Sequence, residues 1–575
     1  MGLNQRCSLA FTAAVLLSTG ILSAAPRLRL VSSTVGPVSI AQGANGASQT
    51  VEIYNGGDGF LSPKLSSSVS WIGTSSGTQT NCTSRVGVCI PIQISLNTSS
   101  LPAGITTGIV TVADNDASVV DAPQTITVTV AIGGAVPSSV DVYVAPGTVR
   151  DVEFSTNSRL NGTAKTNDGA SWLSLAVDGT GTFRFLFPYR IHVAPAAGMA
   201  SGTYSGTLTT SSSSFTGDNK SIPVTMRVTT QPIAQASSSH VQVRLAQGAP
   251  PLTTAVSLTN LGQGTLALQG ALANGVTGLT ATTSGNAAVL TFDAGTLSPG
   301  TYSGTVTLTS NAANVLAPIP VDFTVVAKGA PVINYQGVVD NGTFTAGDTV
   351  ARGDVMVVLG EQLSFAPLTV GKAPPLDTQV GGASVMVNGR PVPMYYSSYG
   401  QLAFQLPYEI NNGTAVVQVQ RDGLTSNTVS VQVADRAPRL LLIGVGAYGA
   451  IQNNQDLSIP MPVGSFPGVN THPAKAGDAL TIYAIGLGPT TPAVASGQPA
   501  PESSPFAPLT TTATINFGAG PGGMVVVPLY AGLTPTFAGL YQINVVVPDG
   551  LPKGAINLTV NFSDSVSNAV QIYTQ

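Results

Sequence analysis

Charge is scarce in this sequence. Only 8% of its 575 residues are Asp, Glu, Lys or Arg, and the formal net charge is −4. No Lys/Arg cluster could neutralise a run of phosphates, which excludes nucleic acid as an expected partner. Histidine is scarcer still: His192, His240 and His472 are the complete set, and they lie in separate stretches of chain. A metal site needs several converging ligands, and a Ser-His-Asp triad needs one placed imidazole. Neither is expected, no cofactor is expected, and the chain reads as non-enzymatic. Cysteine is limited to Cys7, Cys82 and Cys89. Aromatic residues make up 6%, too few for a broad sugar-stacking surface. Beyond the first residues, no stretch of about 20 apolar residues runs uninterrupted by Gly, Pro or polar groups. No membrane span is therefore expected after the leader.

What replaces charge is Thr, Ser, Val, Ala and Gly. Hydrophobic residues reach 43%, with 64 Gly and 40 Pro. High apolar content with little net charge is the reverse of a disordered composition. The many Gly and Pro would break long helices, whereas β-branched Thr and Val suit short, twisted strands. The length suits four or five domains.

The first 25 residues read as a secretory signal peptide. Arg6 supplies the positive start, Leu9 to Leu22 the apolar stretch, and Ser23-Ala24-Ala25 the small residues for cleavage. Export agrees with the cysteines. With Cys7 removed, Cys82 and Cys89 flank a six-residue stretch that suits a hairpin tip, and a disulfide is favoured over two free thiols.

Internal repetition is the strongest signal. Gly104-Ile105-Thr106-Thr107-Gly108, Gly202-Thr203-Tyr204-Ser205-Gly206 and Gly300-Thr301-Tyr302-Ser303-Gly304 recur at 98-residue intervals. Each runs into a strand, and a second strand follows beside Pro123, Pro223 or Pro320. In the third copy Tyr302, Val306 and Leu308 share one face, and Val321, Phe323 and Val325 share a face of the closing strand. That period of two marks antiparallel pairs with one face in a core. Units of roughly 100 residues with several short strands have the size of immunoglobulin-like sandwiches. A second duplication follows. Gln401 to Pro407 matches Gln542 to Pro548, Gly413 matches Gly554, and Ser426-Asn427 matches Ser567-Asn568, all 141 residues apart. Upstream, Gly353-Asp354 matches Gly477-Asp478 at 124 residues, so the second copy carries extra length in a Pro- and Gly-rich loop around 489–523.

Motif hits to chemistry are weak. Gly73-Thr74-Ser75-Ser76-Gly77 fits G-x-S-x-G, but no helical pattern follows, as a nucleophile elbow requires. Gly444 to Gly449 fits G-x-G-x-x-G and again lacks the following helix that would receive a pyrophosphate. Asp114-Asn115-Asp116 could offer oxygens to calcium but has no EF-hand spacing, and reads as a turn. Trp71 and Trp172 are the candidate ligand contacts, as platforms on which a sugar could stack. Their repeated placement before an aliphatic residue favours a core position instead.

Ser70-Trp71-Ile72 and Ser171-Trp172-Leu173, with the Gly-x-Tyr-x-Gly strand and the closing strand after Pro, resemble the BACON family of immunoglobulin-like modules over about 30–328. The third unit lacks the Trp. This resemblance implies a spacer or carbohydrate-binding module. Gly446-Ala447-Tyr448-Gly449, Gly477 to Tyr483, Gly486-Leu487-Gly488-Pro489, Tyr530 to Leu533 and Gly539 to Asn544 resemble the Solibacter-type uncharacterised C-terminal domain family of secreted bacterial proteins. That likeness covers about 330–575 and is best over 436–575. It implies an exported protein and supplies no activity.

The expected fold is all-β. A signal peptide spans 1–25; three BACON-type immunoglobulin-like β-sandwich modules span 26–134, 135–231 and 232–328; and a duplicated C-terminal β-sandwich unit spans 329–435 and 436–575. The five are expected to form an elongated string, since interfaces between such domains tend to be modest. The expected role is that of a non-catalytic scaffold or adhesion protein, exported to the extracellular space or outer cell surface, with the periplasm the other compartment open to it. Its expected partner is an extracellular polysaccharide or another surface protein. A dedicated carbohydrate-binding protein is the alternative, and a secreted hydrolase the least favoured reading.

Overall fold

A computed structural model describes residues 25–575 apart from 41, 103, 133–135, 157–158, 178–186, 214–215, 445, 467–468 and 519–522. The expected leader, 1–25, lies outside the described residues except for Ala25. Strands dominate, and the one helical element among the described residues is a single 3-10 turn, Thr216–Asp218. Among the described residues the strands form ten sheets, two for each of five tandem β-sandwiches covering 28–132, 140–228, 234–326, 332–434 and 439–574. Each sandwich closes on its own apolar core. The fold is all-β, with immunoglobulin-like sandwiches in series.

The glycine-framed repeats form equivalent hairpins. Gly104–Asp114 pairs antiparallel with Gln124–Ile132, Gly202–Ser211 with Ser221–Val228, and Gly300–Ser310 with Ile319–Val326. The first strand of each sheet then adds parallel to the closing strand: Thr34–Ile40, Val140–Val144 and Val241–Ala246. Alternation puts Ile126, Val128, Val130 and Ile132 in one core, and Val321, Phe323 and Val325 in another, all at most 2% exposed. Each such side chain contributes roughly 1.5–3 kcal/mol on burial.

The second glycine of each frame makes room for what crosses it. A Cβ on Gly108 would lie 2.5 Å from Val69, 2.7 Å from Ile72 and 3.1 Å from the Trp71 ring, and one on Gly206 would lie 3.0 Å from the Lys165 carbonyl and 3.2 Å from both Leu173 and the Trp172 ring. In the third sandwich, which has no Trp, the space over Gly304 is filled by the Asn274 carbonyl, 2.2 Å from a built Cβ, and by Val276. The tryptophan and the aliphatic residue after it therefore pack together over the frame in the first two sandwiches. Tyr204 and Tyr302 each donate the phenol to a carbonyl four residues upstream, Ala200 at 2.9 Å and Ser298 at 2.8 Å. Such a bond ties a sandwich corner to its strand.

The two C-terminal sandwiches share their devices in detail. Ser426 Oγ accepts from Val419 N–H and donates to the Asn427 carbonyl; Ser567 Oγ accepts from Val560 N–H and donates to the Asn568 carbonyl. The Asn427 amide makes a two-way bond with the Ile333 backbone, and Asn568 makes the same bond with Leu440. Asp354 and Asp478, both buried, each accept the N–H of the residue three positions earlier. A buried side chain that satisfies backbone donors and acceptors replaces ladder bonds that the turn cannot make.

Candidate functional site

Cys82 and Cys89 are joined, with Cα atoms 4.9 Å apart. They close the tip of a hairpin in which Thr80–Asn81 pairs with Val88–Leu96. The tip folds down onto the first sandwich. Arg85 stacks 3.7 Å over the Tyr54 ring, and the Glu52 carboxylate accepts from Thr83 N–H and Ser84 Oγ.

Trp71 and Trp172 are 6% and 3% exposed and belong to the cores of the first two sandwiches. The Trp172 indole N–H is bonded to Asp168 at 3.1 Å. This corrects their candidacy as ligand contacts: a ring packed against its own glycine frame offers no face to a sugar. The G-x-S-x-G stretch lies largely in the edge strand Ile72–Ser76, where Ser75 pairs with Gln93, so no strained elbow holds the hydroxyl. After Gly449 comes the strand Ile451–Asn453, where a dinucleotide site would need a helix. Asp114 and Asp116 turn their carboxylates onto backbone N–H groups of Ser62, Asp116 and Ser118.

Each histidine meets an aspartate: His192 with Asp151 at 2.8 Å, His240 with Asp322 at 3.0 Å, and His472 with Asp456 at 2.6 Å. The third pair includes Ser458, whose Oγ is 2.9 Å from His472 Nε2 and 2.6 Å from Asp456 Oδ1. The residues are those of a triad but the wiring is not. A triad sets Ser on one ring nitrogen and Asp on the other. Here Nε2 faces both, and Nδ1 bonds the Pro473 carbonyl at 3.0 Å. Ser458 is completely buried, out of reach of a substrate. Hydrogen bonds to Asp456 and to the Pro473 carbonyl raise the His472 pKa. Bonds from Ser458 and His472 hold the Asp456 carboxyl far below the usual carboxylate range. The arrangement is a clasp across a loop.

Four charged side chains meet at a junction of the first, third and fourth sandwiches. Arg29, on Leu28–Leu30, grips Glu361 with two donors, Nε to Oε1 at 3.0 Å and Nη2 to Oε2 at 3.2 Å, across 332 residues of chain. Its third nitrogen bonds Asp121 and the Leu28 carbonyl. Arg244 of the third sandwich reaches Asp121 at 3.4 Å and Glu361 at 3.8 Å. The Arg29 and Glu361 side chains are only 7% and 15% exposed. Burial alone would raise the Glu361 carboxyl. The hydrogen bonds and charge of Arg29, with Arg244 and Arg27, outweigh burial and hold it below the ordinary range.

Apolar and neutral contacts complete the junction. Phe60 packs on Tyr335 with ring centroids 5.4 Å apart. Gln242 donates to Ser33 at 2.9 Å. Tyr399 and Phe365 of the fourth sandwich lie against the third core, and Ala246 N–H donates to the Tyr399 oxygen at 2.8 Å. Arg421 pins the connection by donating to the Gly329 and Gln362 carbonyls, at 2.6 and 3.0 Å. The expected elongated string is thereby corrected. The chain doubles back, and its first sandwich is clamped to its fourth.

The extra loop of the last sandwich plugs into the fourth. Gly497 N–H donates to the buried Gln405 at 2.6 Å, and Tyr408 N–H donates to Ser496 Oγ at 2.8 Å. Ser496 in turn gives its N–H and its hydroxyl to the two Glu409 oxygens, at 3.1 and 2.6 Å. Beside this plug lies an open groove of about 650 Å³ lined by Arg390, Pro391, Pro393, Glu409, Asn411 and Ser496 among others.

No family model and no curated protein matches the chain. Among solved structures it is similar to the human desmocollin-1 ectodomain, at 11% identity and a TM-score of 0.16, over 72% of this chain and 80% of that one. The protocadherin gamma B2 extracellular cadherin domains 1–5 match at 11% identity and a TM-score of 0.16, over 89% and 93%. Sidekick-1 immunoglobulin domains 1–5 match at 10% identity and a TM-score of 0.14, over 96% and 99%. Scores this low carry no argument about function. No helix among the described residues is long and apolar enough to cross a membrane.

Proposed function

We propose that the chain is a non-catalytic, exported scaffold or adhesion protein that presents its sandwich surfaces and loops to another surface protein or an extracellular polysaccharide. The observation that carries this reading is the junction of the first, third and fourth sandwiches. A chain with 8% charged residues places Arg29, Asp121, Arg244 and Glu361 between sandwiches, where they lock one body. The meeting of Ser458, His472 and Asp456 is wired as a loop clasp. Export is supported by the leader-like first 25 residues and by the Cys82–Cys89 bridge, which suits an oxidising compartment. The Ser-Trp-aliphatic starts support reading the first sandwiches as BACON-type modules. The matched C-terminal landmarks support the Solibacter-type family for the last two.

The test is protease treatment of intact producing cells. Loss of the chain while a cytoplasmic marker survives, together with recovery of a bound surface component by the purified protein, is the expected result. A chain fully protected in intact cells and absent from the medium would overturn outward presentation.

A second reading, direct contact with polysaccharide, is supported by hydroxyl pairs on exposed strand faces: Thr253 with Thr291 at 3.4 Å and Thr301 with Thr324 at 3.3 Å. It does not involve the tryptophans.

A further inference from the structure

We infer that the groove beside the Ser496 plug is a binding site for an acidic oligosaccharide, a chain of hydroxyl-bearing sugars each carrying one carboxylate. This deepens the polysaccharide reading above and rests on it. The groove's volume of about 650 Å³ falls in the range of small-molecule sites, roughly 300–1,000 Å³. Its walls come from the fourth sandwich and, through Ser496, from the last, and hydrogen bonds hold both sides. On one side, Arg390 follows the Asn388-Gly389 turn of a tight hairpin, both turn residues having positive φ, 49° and 77°. This is the two-residue turn that matches strand twist. Asn388 Oδ1 accepts from Val416 N–H at 2.8 Å, which fixes the turn on the neighbouring strand. On the other side, Ser496 is held by Glu409 and Tyr408.

The lining favours side-chain recognition over strand addition. Arg390–Pro391 is the edge of its sheet, which would ordinarily invite an extended peptide. Pro391, Pro393 and Pro407 have no N–H to donate, and Val392 N–H is already bonded to the Val385 carbonyl at 3.0 Å. What remains to meet a ligand are the Arg390 guanidinium and the side chains of Asn411 and Thr378, all exposed and without an ion pair or side-chain hydrogen bond among the described residues. Amides and hydroxyls suit sugar hydroxyls, and the guanidinium fork suits a carboxylate. Proline rings and Ile410 supply apolar surface for sugar C–H faces.

Charge narrows the ligand further. Asp377 is already paired with Lys372 at 2.7 Å, so it leaves Arg390 free. Hydrogen bonds from Ser496 outweigh burial and keep Glu409 ionised, with its pKa below the ordinary range. The groove thus offers one positive and one negative group. A densely sulfated or phosphorylated polymer would meet Glu409 with like charge. A uronic-acid chain, with one carboxylate per sugar and hydroxyls between, can place acid on Arg390 and hydroxyl on Glu409.

The test is calorimetric titration of residues 26–575 with tetramers of galacturonate, glucuronate and mannuronate, their methyl esters, neutral tetramers and an Asp/Glu-rich peptide. Arg390→Gln and Asn411→Ala are measured alongside, with thermal melts to confirm folding. The expected result is saturable binding of at least one uronate tetramer, weakened about tenfold or more by esterification and by R390Q, in keeping with a hydrogen bond to a charged group. Uronate binding unchanged in R390Q would overturn the site. Neutral-glycan binding indifferent to R390Q would overturn it while leaving the polysaccharide reading standing. Binding of no glycan would overturn both, and tighter binding of the peptide than of any uronate would overturn the ligand class.

Discussion

Replacing Arg29 by Met removes the centre of the three-sandwich junction while keeping much of the side chain's volume. The guanidinium gives two bonds to Glu361 and one to Asp121, and its loss leaves Glu361 largely buried. Breaking a buried pair by removing one partner costs about 3–5 kcal/mol, because the other charge stays desolvated. Arg244 lies 3.8 Å from Glu361 and 3.4 Å from Asp121 and compensates in part. The lower end, about 3 kcal/mol, is therefore expected. That is roughly a hundredfold shift in the docking equilibrium of the first sandwich. The loss should appear in docking, since the first sandwich keeps its own core. Hydrogen exchange should speed up around Leu28–Leu30 and Val355–Glu361, and the radius of gyration should rise. Arg29→Met with Glu361→Met should recover docking relative to R29M, because an apolar pair in place of a buried ion pair is often neutral. The pH dependence has a definite sign. The folded pKa of Glu361 lies below its ordinary value of 4.5, so its contribution is complete above that value and is lost as pH falls through the folded pKa. Unchanged exchange and radius in R29M, or a double variant worse than R29M, would refute the reasoning.

Three further outcomes follow from other parts of the molecule. Cys82→Ser should cost about 2.5 kcal/mol on the loop-entropy account for so short a ring, read as a lower melting temperature of the first sandwich under oxidising conditions. The His472 clasp should weaken as pH rises, since its folded pKa is raised. Its contribution is complete below the ordinary histidine value and is lost as pH passes the folded one. Protease nicking between Asp456 and His472 should therefore increase at high pH, and His472→Ala should abolish that pH dependence. Trp172→Ala should destabilise the second sandwich by about 3–5 kcal/mol. In the native protein both tryptophans should emit in the blue and resist iodide quenching; red, quenchable emission would place a ring at the surface.

The sandwich repeats were legible because each level of pattern agrees. The 98-residue glycine frames, the period of two in Val306, Leu308, Val321, Phe323 and Val325, and the prolines beside the start of the closing strands all mark one hairpin. Tryptophan was ambiguous because its chemistry suits a core and a ligand surface alike. What decides it is burial, with Trp71 and Trp172 6% and 3% exposed in their cores, which appears only once the strands are paired. The clamp was not legible. Arg29 and Glu361 are separated by 332 residues, and no local period marks a charged residue as interfacial. The general expectation of modest interfaces therefore pointed to a string. The His–Asp pairs were hidden for the same reason, with partners 41, 82 and 16 positions apart. The loop around 489–523 showed as extra length in the second copy. Its docking into the fourth sandwich depends on the buried Gln405 and the exposed Glu409, whose roles appear only once both copies are folded.

The most direct test of the folded-back body is a photo-cross-link from position 60. A benzoylphenylalanine replacing Phe60 should couple within the chain to the fourth sandwich at or beside Tyr335, whose ring lies 5.4 Å away, and Arg29→Met should suppress the product. Efficient coupling unaffected by R29M would contradict the role given to the ion pairs. Absence of any link between the first and fourth sandwiches would contradict the folded-back body itself.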